Sequence, residues 1–236
     1  SALANGIVFA AAAEVPTPLR LFKTIAEAAP ERIGDFTPSE LARVAWAFVT
    51  THVSSSQLFE SIAEAALVRI RQFKAVDLAT IAWAFATANV PQQQRLFAKL
   101  SEMVQRLIVT FTPADLAKTA VAFAKAGESP AQLFDSLAAS AATIIARFRV
   151  EDLRRILGAF AHARAWNPVL FSSIAAAVWL EKDKYAQNDL YVIASLFTGA
   201  TAVSPLSTSP LDSEAVLRVV ARQQLDDLRR IRAAAS

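Results

Sequence analysis

Cysteine is absent from this chain of 236 residues, and several other residue types are scarce. Without thiols, the chain can form neither a disulfide nor a thiolate metal site, which suits a reducing cytosol or organelle matrix. Only two histidines occur, His52 and His162, and we expect both at the surface rather than in a metal site. Glycine occurs 5 times and proline 10 times, and this scarcity of helix breakers, with abundant Ala and Leu, predicts helices.

Long hydrophobic runs and catalytic motifs are also lacking. No apolar run approaches the ~18 residues of a membrane span, although 54% of the residues are hydrophobic, so we expect a soluble protein with a large core. The sequence contains no glycine-rich phosphate loop, nucleophile elbow or HExxH helix. These absences disfavour an enzyme, and we expect no cofactor and no metal. The formal charge of +3 permits an acidic partner such as RNA without requiring one.

Phenylalanine, by contrast, recurs in three positions of one repeating frame. Successive members are 37 or 38 residues apart, a period typical of solenoids built from small supersecondary units. The first position, the anchor, holds Phe36, Phe73, Phe111, Phe148 and Tyr185. The second holds Phe48, Phe85, Phe123, Phe160 and Phe197. The third, always preceded by leucine, holds Phe22, Phe59, Phe97, Phe134 and Phe171.

Each unit of the frame is interpreted as a helical hairpin. After each anchor come an acid, a leucine and a second-position phenylalanine, with spacings that place the apolar side chains on one helical stripe. The segment Thr37-Pro38-Ser39-Glu40 is a predicted capping box, so we interpret the recurrent acid as a helix cap. A second helix begins near each Leu-Phe pair. Trp46 and Trp83 share one position and are expected to pack between neighbouring hairpins.

We therefore predict an all-α protein, an α-solenoid in the form of a right-handed superhelix of tandem 37–38-residue helical hairpins. A single array of about five hairpins with partial ends should fill residues 1–236, interrupted by an irregular loop at 199–212 that is rich in Ser, Thr and Pro. Leu3 begins a degenerate first unit, and the segment at Asp227 copies the one at Asp152. Since both ends cut through a repeat, we expect a native protein that is longer or trimmed.

Basic residues recur in two sets. The first set lies seven residues after each anchor, off the apolar stripe, and a row at roughly 10 Å per helix layer could follow a nucleic-acid backbone. It consists of Arg43, Thr80, Lys118, Arg155 and Val192, followed by Arg230. The second set marks the ends of the second helices, where cations also complement the helix dipole, so a structural role stays open. It consists of Arg32, Arg69, Arg71, Arg106, Arg147, Arg149, Lys182, Lys184 and Arg222.

The segments 36–48 and 73–85 resemble the first helix of octotricopeptide repeats, through Ser/Thr, Pro, acid-leucine-alanine and Trp-Ala. The 37-residue spacing is equally similar to the heptatricopeptide variant of organellar proteins. The resemblance implies an RNA-binding solenoid of chloroplasts or mitochondria that acts in RNA maturation, stability or translation, or in an organellar ribosome. The family often has asparagine where Arg43 and its equivalents lie, and later units lose the tryptophan. Phosphate contact is therefore expected rather than base reading.

The sequence leaves three functions open. We expect a non-enzymatic module that binds single-stranded or ribosomal RNA in an organelle, through the cations named above. The alternative is an accessory or scaffold subunit that docks by protein–protein contacts on a ribosome, photosystem or respiratory complex. A weaker third possibility is that the array positions an enzyme domain outside this chain.

Overall fold

The computed structural model describes residues 19–90 and 93–201. In these two ranges the chain is helical, with five short 3-10 helices between the longer elements and no strand. The α-helices are α1 (Leu19–Arg32), α2 (Pro38–Thr50), α3 (Ser56–Arg69), α4 (Ala75–Ala88), α5 (Gln94–Leu107), α6 (Pro113–Lys125), α7 (Ala131–Thr143), α8 (Val150–His162), α9 (Pro168–Leu180) and α10 (Gln187–Thr201). Even numbers are first helices and odd numbers second helices. The all-α solenoid is confirmed.

The first helices begin where the capping sequences predict. In α2 the Thr37 hydroxyl accepts the Glu40 amide at 3.3 Å, and the Glu40 carboxylate accepts the Thr37 amide at 2.8 Å. Thr112 and Asp115 repeat this box at the start of α6. These reciprocal bonds satisfy amides that would otherwise lack partners, which confirms the structural interpretation of the recurrent acid for Glu40 and Asp115.

Each of four first helices ends at a residue with left-handed backbone geometry. These residues are His52, Asn89, Gly127 and Arg164, with φ angles of 55°, 51°, 71° and 52°. After α6, for example, the Glu128 amide donates to the Phe123 carbonyl at 3.0 Å, which is the six-residue closure of a Schellman motif. Only one of the four positions holds glycine, although this geometry is strained for other residue types.

The second helices end in a feature that the sequence analysis did not predict. A three-residue 3-10 helix follows each of them and delivers the next anchor aromatic to the core; these are Ile33–Asp35, Ile70–Gln72, Ile108–Thr110, Ile145–Arg147 and Lys182–Lys184. After α3, the Phe73 amide donates to the Ile70 carbonyl at 3.3 Å and closes this turn. In four of these five turns the tighter geometry ends the helix without a glycine or a proline, whereas Ile33–Asp35 contains Gly34.

The phenylalanine frame forms the core. All fourteen phenylalanines of the three positions are buried, and the anchor Tyr185 is half-buried, which raises the pKa of its hydroxyl. Third-position rings meet second-position rings of the following first helix edge to face. The ring centroids of Phe97 and Phe123 are 5.0 Å apart, and those of Phe59 and Phe85 are 5.1 Å apart. The rings therefore join each second helix to the next hairpin.

The two layers of helices are packed unequally. Successive first helices contact one another more extensively than successive second helices do. Alanines such as Ala45, Ala79 and Ala82 are fully buried between the first helices, and their small side chains permit this close approach. The solvent-exposed side of this more closely packed layer of first helices is called the inner face below. Trp46 and Trp83 are half-buried against the core, as expected.

Some predicted features fall beyond the described ranges. Helix α10 continues to Thr201, so residues 199–201 of the predicted loop are helical. The rest of that loop, the degenerate unit at Leu3, the segment at Asp227, and the cations Arg222 and Arg230 lie outside the described residues. Among the described helices, none is long and apolar enough to cross a membrane.

Candidate nucleic-acid interface

The inner face carries three parallel lines of side chains, which lie 7, 10 and 14 residues after each anchor. Spacings of three, four and seven residues put them on one side of every first helix. The first line is the predicted basic row of Arg43, Thr80, Lys118, Arg155 and Val192. The middle line is Trp46, Trp83, Val121, Gly158 and Ser195. The third line, which the sequence analysis did not identify, is Thr50, Thr87, Lys125 and His162.

Neighbouring members of these lines contact each other. The Lys118 ammonium lies 3.5 Å from the Thr80 hydroxyl oxygen, and the Lys125 ammonium lies 3.3 Å from that of Thr87. Both contacts join α6 to α4 across one hairpin repeat. The first and third lines therefore run in register along the inner face, on either side of the middle line.

Positive charge on the inner face concentrates on α6 and α8. Lys118 is half-buried, while Arg43 and Arg155 are exposed, and Thr80 and Val192 contribute no charge. Arg155 pairs with Glu151 and lies 3.8 Å from Asp152, and Arg154 lies 3.4 Å from Asp189. The side chain of Arg155 is 54% exposed and that of Arg154 is 42% exposed. Exposed pairs of this kind contribute at most ~1 kcal/mol, so a phosphate can replace the carboxylate partner at little cost.

The second predicted set of cations does not form one line. Five of its arginines occupy five different positions relative to the nearest anchor, so they make a band along one edge. These are Arg69, Arg71, Arg106, Arg147 and Arg149. Arg69 donates to the carbonyls of Phe36 and Gly34, beside the 3-10 turn of the preceding unit. Its guanidinium therefore has a structural role. Arg71, Arg106, Arg147 and Arg149 are exposed.

Two depressions flank α8 on the inner face. The one between α6 and α8 has a volume of about 400 Å³ and lies over Val121 and Gly158. Its other lining residues include the exposed cations Lys125, Arg154 and Arg155, and the exposed imidazole of His162. The depression between α8 and α10 has a volume of about 360 Å³ and shares Arg154, Arg155 and Gly158. In the sequence, these depressions could have been recognised from Gly158, which occupies the position where two earlier units carry tryptophan.

The histidines of the described residues do not form a metal site. His52 and His162 are both exposed, as expected, and are far apart in the array. Across 19–90 and 93–201, no group of three or more histidine and carboxylate side chains could hold a metal ion. The inner face thus offers apolar surface bordered by cations, an arrangement that suits a polyanion carrying flat apolar groups.

Comparison with known protein families identifies the chain. The model of one family, described as RESC6, RNA-editing substrate-binding complex 6 protein, matches residues 18–163, which is more than half of the sequence. The chain belongs to the RESC6 family. The matched region runs from the start of α1 to just beyond the end of α8, so it includes the depression over Gly158. No curated protein matches the chain significantly.

The RESC6 assignment supports the coarser part of the resemblance noted from the repeats. The family name refers to RNA editing, which agrees with the expectation of a helical protein connected with RNA. The finer assignment to octotricopeptide or heptatricopeptide repeats stays a prediction.

Proposed function

We propose that this RESC6-family chain is a non-enzymatic RNA-binding solenoid that holds single-stranded RNA along its inner face. The observation that carries the proposal is the arrangement of that face, with apolar side chains between two lines that contain Arg43, Lys118, Arg155 and Lys125. Phosphates contact the cations, while bases lie toward the apolar middle line. Backbone contacts carry little sequence information, so the binding tolerates many sequences.

The family name adds the biological setting of this proposal. It refers to a complex that binds substrates of RNA editing, and we propose that this chain contributes RNA contacts in such a complex. An organelle, mitochondrion or chloroplast, is the location that the repeat resemblance implies. The exposed arginines of the edge band, such as Arg71 and Arg147, extend the positive surface beside the inner face.

A direct test measures how RNA affinity depends on salt. Neutralising about three phosphates of a single strand should give a log–log slope near −2, at roughly −0.7 per phosphate. Replacing Arg43, Lys118 and Arg155 with alanine should flatten this slope and weaken binding to different RNAs about equally. Fluorescence anisotropy with labelled oligoribonucleotides gives both quantities.

A matched control removes three exposed cations that belong to neither basic set, namely Arg95, Lys99 and Arg164. It changes the net charge by the same amount, and Lys99 pairs with Glu102 at 2.8 Å, as Arg155 pairs with Glu151. The control should bind RNA more tightly than the inner-face variant. Equal losses in both variants would mean that only net charge matters. The proposal fails if the wild-type chain binds no RNA at low salt, where electrostatic attraction is strongest.

A scaffold role is the second candidate, and one observation favours it. Val68, Val109 and Leu180 lie at or just after the ends of second helices and are 85%, 88% and 83% exposed. Such side chains, remote from the inner face, suit contact with protein neighbours in a complex. If the chain is a scaffold, its RNA affinity should be negligible at physiological salt, and its protein partners should stay bound after nuclease treatment.

A further inference from the structure

We infer that the depression over Gly158, between α6 and α8, is a binding site for one nucleotide of single-stranded RNA. The base lies on the apolar surface of Val121 and Gly158, and the adjoining phosphates contact Lys125, Arg154 and Arg155. The inference rests on the proposed function and specifies the place on the inner face where a base is held.

Gly158 is not explained by packing or by backbone geometry. A β-carbon at this position would meet no atom within 4 Å, and the residue does not have a positive φ angle. Glycine inside a helix destabilises it relative to alanine, because it has more backbone freedom to lose on folding. Trp46 and Trp83 occupy the same position in two earlier units. The effect of glycine here is to leave open a space that a large side chain closes elsewhere.

The chemistry of the depression suits a nucleotide. A volume of about 400 Å³ lies within the range of small-molecule sites, and the surface beneath is apolar. Three exposed cations, Lys125, Arg154 and Arg155, line it together with the exposed imidazole of His162. Guanidinium and imidazole planes can stack on a base, and the ammonium and guanidinium groups can bind phosphate. An apolar surface bordered only by carbonyls or acids would lack this charge complementarity.

The second depression, on the other side of Gly158, is the poorer site. It is slightly smaller and is also lined by Glu151, whose carboxylate repels a phosphate. Leu196 and Val192 supply its apolar surface from α10. One base is therefore assigned to the α6–α8 side, rather than one to each side of α8.

Two substitutions at Gly158 provide a matched test. Gly158→Leu fills the depression with a neutral side chain that cannot itself stack on a base as tryptophan could, whereas Gly158→Ala adds only one methyl group. Both replacements favour the helix, so folding should be retained. The probes are a labelled oligouridylate and an abasic oligonucleotide of the same length, measured by fluorescence anisotropy.

The expected result is a loss that depends on the base. Gly158→Leu should weaken oligouridylate binding about tenfold, the range of one stacked base, and leave binding of the abasic probe and the salt slope unchanged. Gly158→Ala, which adds only one methyl group, should weaken oligouridylate binding much less than Gly158→Leu does. If Gly158→Leu retains oligouridylate affinity, or loses affinity for both probes equally, the nucleotide site is refuted while RNA binding stands. If the wild type binds neither probe at low salt, the proposed function itself fails, and an acidic protein segment becomes the better occupant.

Discussion

Truncating Phe123 to alanine tests whether the phenylalanine frame holds the solenoid together. Phe123 lies on α6, its side chain is fully buried, and its ring meets Phe97 of α5 edge to face at 5.0 Å. Removing a buried phenylalanine costs about 3–5 kcal/mol, because apolar burial is lost and a cavity remains. The edge-to-face pair contributes about 0.5–1.5 kcal/mol of this total.

The loss should be measured as a change in the free energy of unfolding, by chemical denaturation with linear extrapolation. In a solenoid each hairpin is stabilised by its neighbours, so hydrogen exchange should show the largest loss of protection in α5, α6 and α8. A double-mutant cycle with Phe97→Ala should give a coupling energy of about 1 kcal/mol, since the two rings touch.

Val109→Ala is the matched control. It also removes apolar atoms, but Val109 is 88% exposed, so the change in unfolding free energy should stay within about 0.5 kcal/mol. A loss below about 1 kcal/mol for Phe123→Ala, or one no larger than that of Val109→Ala, would refute the assignment of this position to the core.

Two further predictions concern the joints between helices and hairpins. Arg164→Gly should raise the free energy of unfolding by about 0.5–1 kcal/mol, because φ is 52° at this residue. Gly127→Ala should lower it by about 1 kcal/mol, because φ is 71° there although the space around the residue is open. Thermal denaturation measures both changes, and the opposite sign for either would contradict the backbone argument. Ser39→Ala should cost about 1–2 kcal/mol because the Ser39 hydroxyl bonds both carboxylate oxygens of Asp77 in the next hairpin at 2.9 Å. Ser136→Ala, which removes only a hydroxyl bond to its own helix, is the control and should be nearly neutral.

Much of the fold could be predicted from the sequence, because its determinants are local. Spacings of three and four residues decide which side chains share a helical face, as they do for Leu78 and Phe85. The capping box at Thr37 depends on residues only three positions apart. The repeat period then extends each local inference to every unit. The 3-10 turns were missed, since no glycine or proline recurs in them; of the five described turns, only Ile33–Asp35 contains a glycine, Gly34.

The candidate site could be predicted only in part. The row from Arg43 to Arg155 was visible because it repeats with the frame. The third line, with Lys125 and His162, was missed because its residue types vary from unit to unit. For Arg69 the sequence left both an RNA contact and a structural role open, and its guanidinium bonds carbonyls more than thirty residues earlier in the chain.

The sequence by itself determined the hairpin repeat, the starts of the first helices and the buried phenylalanine positions, all of which follow from local spacing and helix capping. The tertiary structure decided which side chains meet across hairpins. Ser39 reaches Asp77, Lys118 reaches Thr80, and a depression opens beside Gly158, because first helices stack closely enough for residues 37 or 38 positions apart to touch. Such contacts depend on the distance and rotation between helices, which the packing of the whole array sets.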